Sequence, residues 1–155
     1  MALFNYAGAQ VSFSAKSGDS ELDLTLNDMN IQAKADINLF NTNMKASYNI
    51  TEQKLNYLSV TVGMQPADIY LTLEIGKITG RSIDDVVNAY QKHKGKGWGV
   101  IAKEMGIKPG SKEFHLLKGN TKEKNSKMKK NKNNQPEKGN TVNKGKPNNA
   151  NGKKK

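Results

Sequence analysis

Ile31-Gln32-Ala33-Lys34-Ala35-Asp36-Ile37-Asn38-Leu39 is the stretch on which the predicted fold turns. Its apolar side chains fall at every second position, with Gln32, Lys34, Asp36 and Asn38 between them. That period of two predicts a strand with one buried and one wet face. The pattern extends in both directions. Val11, Phe13 and Ala15 alternate before it, and Ser17-Gly18-Asp19 breaks the chain. Leu22, Leu24 and Leu26 alternate with Asp23 and Thr25. Met44, Ala46, Tyr48 and Ile50 follow, then Leu58, Val60 and Val62. The separators Asn27-Asp28, Asn41-Thr42-Asn43 and Thr51-Glu52-Gln53-Lys54 are turn-forming residues. Connections this short predict an antiparallel β-meander of four to five strands over about residues 9–63.

After residue 63 the period changes. Pro66 suits the first position of a helix, and Ile69, Tyr70, Leu73 and Ile78 form its apolar stripe up to Gly80. Ser82-Ile83-Asp84-Asp85 reads as a capping box. Ile83, Val86, Val87 and Tyr90 give the clearest helical spacing in the chain, ending at Gly95 to Gly97. Trp98, Ile101, Ala102 and Met105 predict a short third helix, and Ser111, Phe114 and Leu117 a fourth that Gly119 ends. The expected fold class is therefore α+β, with three to four short helices over about 66–118 packed on one face of the sheet.

Charge divides the chain differently. Residues 1–118 carry 13 Lys+Arg against 12 Asp+Glu, whereas 119–155 carry 12 lysines against Glu123 and Glu137. Nearly all of the net charge of +11 thus lies in the last 37 residues. Lys, Asn and Gly dominate there, and so few apolar side chains predict a disordered basic tail after a single domain over 1–118. Such a segment suits an anionic polymer or surface: nucleic acid, cell-wall polymer, lipid headgroups or acidic protein. Its anion-binding candidates are Lys122, Lys124, Lys127, Lys129, Lys130, Lys132, Lys153, Lys154 and Lys155.

Other functions are disfavoured by what the chain lacks. It has no cysteine, so neither a disulfide framework nor a thiolate metal site is available. No apolar run approaches the roughly 20 residues of a membrane span. The only histidines, His93 and His115, stand in no metal-ligand spacing, and neither cofactor nor metal is expected. Gly76-Lys77-Ile78-Thr79-Gly80-Arg81-Ser82 superficially resembles a phosphate loop, but the gap between its glycines is short by one and Arg81 stands where lysine is required.

Two segments offer more. In Lys94-Gly95-Lys96-Gly97-Trp98-Gly99 the glycines allow close backbone approach, and a helix start offers N–H groups to an anion beside Lys94 and Lys96. Trp98 is read there either as a stacking surface or as a core anchor. Ala102, Gly106 and Ile107 fit the first half of a helix-turn-helix, although Pro109-Gly110 delays the next helix and its face is mixed in charge. An enzyme site near this segment would draw on Trp98, Lys103, Glu104 and His115, with Glu104 and His115 as the weak polar candidates.

The run from Gly95-Lys96-Gly97-Trp98-Gly99 through Ile107-Lys108-Pro109-Gly110-Ser111 to Phe114-His115-Leu116-Leu117-Lys118, preceded by Met64-Gln65-Pro66-Ala67-Asp68, resembles a group of small exported bacterial proteins of unknown function. The resemblance implies a strand-rich first half, a low-complexity basic tail and a periplasmic or extracellular location after loss of a signal peptide. It implies no activity and no site residues. Residues 1–7 lack the basic start of a signal peptide, which leaves the cytoplasm as the expected location if Met1 is the native start. The function expected from these features is noncatalytic binding of anionic polymers without sequence specificity. An enzyme near the Gly-Trp-Gly segment and a helix-turn-helix-like DNA-binding protein are the alternatives.

Overall fold

Asp19 and Asp36, which the alternating pattern assigned to a turn and to a wet strand face, are helix N-caps. Each accepts a hydrogen bond from a backbone N–H three residues on, Leu22 and Leu39 respectively. The computed structural model describes residues 13–134 and shows seven α-helices and no strand among them. These are α1 (Ser20–Ala35), α2 (Ile37–Tyr48), α3 (Glu52–Asn56), α4 (Pro66–Thr79), α5 (Ile83–Lys92), α6 (Trp98–Glu104) and α7 (Lys112–Asn133). A π-helical turn, Tyr57–Thr61, continues α3. The α+β fold with an antiparallel sheet over 9–63 is thereby corrected to an all-α fold; Val11, in the first expected strand, lies outside the described residues.

The error has a physical origin. Leu22, Leu26, Met29 and Ala33 are buried, at spacings of four and three that belong to a helix face. Leu24 and Ile31 are 71% and 60% exposed. A period of two and a period of 3.6 both place i and i+4 on one face, so two solvent-facing aliphatics make a helical stripe look like a strand. The same happens after α2: Leu55, Leu58 and Val62 are buried while Val60 is 71% exposed. Low β-propensity was the missed signal. Only Thr25, Ile31, Ile37 and Thr42 are β-branched between residues 20 and 48.

The second half follows its sequence pattern more closely. Pro66 opens α4, Gly80 closes it in the left-handed conformation, and Ser82 with Asp85 forms the capping box of α5. Every residue from Ala67 to Gly76 is buried, on all sides of α4. A helix buried all round is the centre of a bundle, and α4 packs against α1, α2, α5, α7 and the π-helical turn.

The helix capped by Ser111 does not stop at Gly119. α7 runs on to Asn133, so the first part of the expected basic tail is helix lying along α1 and α4. Its buried stripe is Leu117, Thr121, Asn125 and Met128, half of it polar. The Tyr70 hydroxyl donates to Thr121 Oγ1 at 3.2 Å. Gln32 Nε2 donates to Asn125 Oδ1 at 2.6 Å, and Asn125 Nδ2 donates to Asp28 Oδ2 at 2.7 Å. These bonds satisfy the polar stripe, so burial needs few aliphatic side chains. A Cβ added at Gly119 meets nothing within 4 Å. Gly119→Ala should therefore raise stability by about 0.5–1 kcal/mol in denaturant unfolding; a loss would mean that the helix is interrupted there.

Candidate functional site

The Gly-Lys-Gly-Trp-Gly segment is a backbone dock for the N-terminal strap, residues 13–17. Trp98 N–H donates to Ala15 O at 2.8 Å and Gly99 N–H to Lys16 O at 3.1 Å. A Cβ on Gly97 would stand 2.4 Å from Lys16 Cβ, and one on Gly99 would stand 2.8 Å from Ser17 O. The glycines permit a close approach as expected, but what approaches is this chain's own backbone. The N–H groups at the start of α6 that the sequence offered to an anion are taken by those carbonyls. Lys94 and Lys96 sit in the exposed turn before them.

Trp98 is 4% exposed and belongs to the core. Its Nε1–H donates to Asp68 Oδ1 at 2.8 Å, and its ring lies 5.6 Å from that of Tyr90. Asp68 Oδ2 also accepts from Gln65 N–H at 3.0 Å, completing the N-terminal cap of α4. Burial pushes the Asp68 carboxyl up, and its hydrogen bonds from Trp98, Gln65 and Tyr90 offset only part of that shift. Burial and the neighbouring Asp68 push the Tyr90 hydroxyl up to about 12. A cavity of about 310 Å³ opens beside this group, lined also by Ser14, Lys16 and His93.

The polar residues expected nearby are not brought together. Glu104 meets His93 Nε2 and Lys92, and its hydrogen bonds with His93 and then Lys92 hold its carboxyl below the usual range. His115 lies exposed on the first turns of α7, edge-on to Phe114, with no contact to Glu104. Lys103 is exposed on α6. His93 Nδ1 is buried and has no hydrogen-bond partner, a feature that sequence spacing could not reveal. Among the described residues no hydroxyl is hydrogen-bonded to a histidine, so no nucleophile–base pair is assembled. Nor do three His, Asp or Glu side chains converge among them as a metal site would need. The helix-turn-helix reading meets a seven-residue link between Glu104 and Lys112, with Ala102 and Ile107 buried in the bundle. The motif uses a turn of about 3–4 residues.

The lysines of α7 divide into two sets. One set holds α7 to α1: Lys118 pairs with Asp19 at 2.9 Å and Glu21 at 2.8 Å, Lys122 pairs with Glu21, and Lys129 pairs with Asp28 at 2.6 Å. Lys127 pairs along the helix with Glu123. Lys124 donates to Ser47 Oγ and makes no ion pair, and Lys130 and Lys132 are exposed without one among the described residues. Lys153, Lys154 and Lys155 lie outside the described residues.

These pairs set an acid response. The Leu22 N–H and then Lys118 hold Asp19 below its ordinary value of 3.8, and Lys118 and Lys122 hold Glu21 below 4.5. Burial pushes Asp28 up, but Lys129, Asn125 and Gln32 together outweigh it and leave it lowered. Each folded value lies below its unfolded one, so this stabilisation is complete above the ordinary carboxylate range and is lost as pH falls through it. Asp68 has the opposite sign: its contribution is complete below 3.8 and is lost as pH rises toward its raised folded value. Acidification toward about pH 3 should therefore lower the amide protection factors of α7, relative to intrinsic exchange at the same pH, before it affects α4. Simultaneous loss of protection in both helices would contradict this ordering.

No family model matches the chain, and no curated protein or solved structure matches it either. No helix among the described residues is long and apolar enough to cross a membrane.

Proposed function

We propose that this protein is a noncatalytic binding module whose lysine-rich C-terminal segment engages anionic polymers or surfaces without sequence specificity. The observation that carries this reading is the charge division, in which 119–155 hold 12 lysines and two glutamates beside a near-neutral 1–118. The geometry of α7 supports it in one respect. Acids of α1 engage Lys118, Lys122 and Lys129, whereas Lys130 and Lys132 face solvent at the end from which the remaining basic residues continue. The proposed setting, which rests on the resemblance alone, is the periplasm or cell exterior.

Duplex DNA serves as a defined anionic polymer for the test. Each lysine that neutralises a phosphate contributes about −0.9 to the log–log salt slope, so a slope of about −4 to −8 is expected for the full chain. Neutralising Lys153, Lys154 and Lys155 should lower it by up to about three units. A chain ending at residue 134 keeps α7 whole and should lose most of the binding. Equal binding by that chain and the full chain would sink the proposal. Loss of binding on scrambling 135–155 at constant composition would replace it with recognition through a specific motif.

A further inference from the structure

The end of α2, the end of α4 and the middle of α7 meet around Tyr48, where two lysines converge and Arg81 borders the adjoining depression. Lys77 lies on the last turn of α4, Arg81 in the link to α5, and Lys124 on α7. Lys77 Nζ and Lys124 Nζ each stand 5.5 Å from the centroid of the Tyr48 ring. Lys124 Nζ is also fixed by the Ser47 hydroxyl at 2.5 Å. Two depressions share Tyr48 and Lys77. One, of about 540 Å³, is bordered by Ser47 and Arg81; the other, of about 190 Å³, by Asn120 and Lys124.

Most other lysines of α7 in the folded body find a carboxylate, but Lys77, Arg81 and Lys124 form no ion pair among the described residues. The nearby buried acid, Glu74, attracts Lys124 but forms no ion pair with any of the three. Its two oxygens accept from neutral donors, the Tyr48 hydroxyl at 2.5 Å and Asn120 Nδ2 at 2.6 Å. Glu123 is matched by Lys127 on its own helix. Three cations against one carboxylate leave the groove with a net charge of +2. Like charges gathered on one side chain repel each other, and they are held by an aromatic ring, a serine hydroxyl and two packed helices. Burial pushes Lys124 below its ordinary range; Glu74 opposes that shift, and Lys127 and Lys77 add to it. A dianion between them would relieve that repulsion with charge-assisted hydrogen bonds, and the guanidinium of Arg81 adds a planar fork of donors.

We propose that the groove between Tyr48, Lys77, Arg81 and Lys124 is a binding site for a phosphate dianion. The ammonium groups lie over the Tyr48 ring, which is thus taken by cations and not free to stack on a base. The site therefore recognises the phosphate and not what the phosphate is attached to. It shares with the anionic-polymer reading the sign of its ligand and Lys124, but it is built on the folded body and needs none of residues 135–155.

Inorganic pyrophosphate is the probe, added to the full chain at constant ionic strength and followed by backbone NMR. Saturable shifts are expected at the amides of Ser47, Tyr48, Arg81 and Lys124. Lys77→Gln with Lys124→Gln should weaken binding by about tenfold or more, and Arg81→Gln, at an exposed link, by several-fold. A singly charged dinucleoside phosphodiester should bind more weakly than pyrophosphate, which separates a terminal phosphate from a polymer backbone. Neutralising Lys153, Lys154 and Lys155 should reduce DNA binding and leave pyrophosphate binding unchanged. Failure of the polymer reading would thus leave this result intact, and the reverse also holds. Shifts spread over all exposed lysines, or an affinity unchanged in both Arg81→Gln and the double variant, would overturn the proposal.

Discussion

Replacing Trp98 by Ala should destabilise the protein by about 3–5 kcal/mol, the cost of emptying a large aromatic site in a packed core. The ring is 4% exposed, stacks obliquely on Tyr90 and binds Asp68 through its indole N–H. Its removal takes one donor from a carboxyl that burial already disfavours as an anion. Trp98→Phe separates the two contributions: it keeps much of the packing, loses the hydrogen bond, and should cost about 1–3 kcal/mol. Equilibrium unfolding in urea measures both. A loss below about 1 kcal/mol for Trp98→Ala would mean that the ring is not a core element and would restore its reading as a stacking surface.

Gly97→Ala should be nearly as damaging although it adds one methyl group. Gly97 has φ 99° and ψ 165°, a conformation essentially confined to glycine and worth about 1–3 kcal/mol of strain in any other residue. The new Cβ would stand 2.4 Å from Lys16 Cβ and 2.9 Å from Lys16 O, so the strap must move away and forfeit its bonds to Trp98 and Gly99. Overpacking of this kind adds about 1–3 kcal/mol. Gly110→Ala is the control. Its φ of +73° is also left-handed, but nothing lies within 4 Å of the added Cβ, so it should cost only about 1–2 kcal/mol. Limited proteolysis should cut within residues 13–17 in Gly97→Ala and not in Gly110→Ala. Equal behaviour of the two variants would mean that the strap is not held by this dock.

The sequence was most legible where a local group does the structural work. Pro66, Gly80, Ser82 with Asp85, and Ser111 act on backbone groups within a few residues, and each occupies its expected place in the structure. The same chemistry was present at Asp19, Asp36 and Thr51, all N-caps, but the alternation of Leu, Ile and Ala around them dominated the reading. For the candidate sites, the glycines of 95–99 announced a close approach without saying what approaches. The sequence suggests Glu104 and His115 as companions, yet Glu104 meets His93, eleven residues away, across the turn between α5 and α6.

By itself, the sequence determined the helical caps of the second half, the uneven distribution of charge and the absence of cysteine chemistry. These depend on near neighbours or on composition alone. Tertiary structure decided the rest. Residues at i and i+4 share a face in a strand and in a helix, so only the partners around α1 settle that Leu22 and Leu26 are buried while Leu24 is not. Thr121 and Asn125 can line a core only because Tyr70, Gln32 and Asp28 arrive from other helices to satisfy them. Lys77, Arg81 and Lys124 become one cluster only when α4 and α7 pack together, since no local rule relates side chains 43 to 47 residues apart.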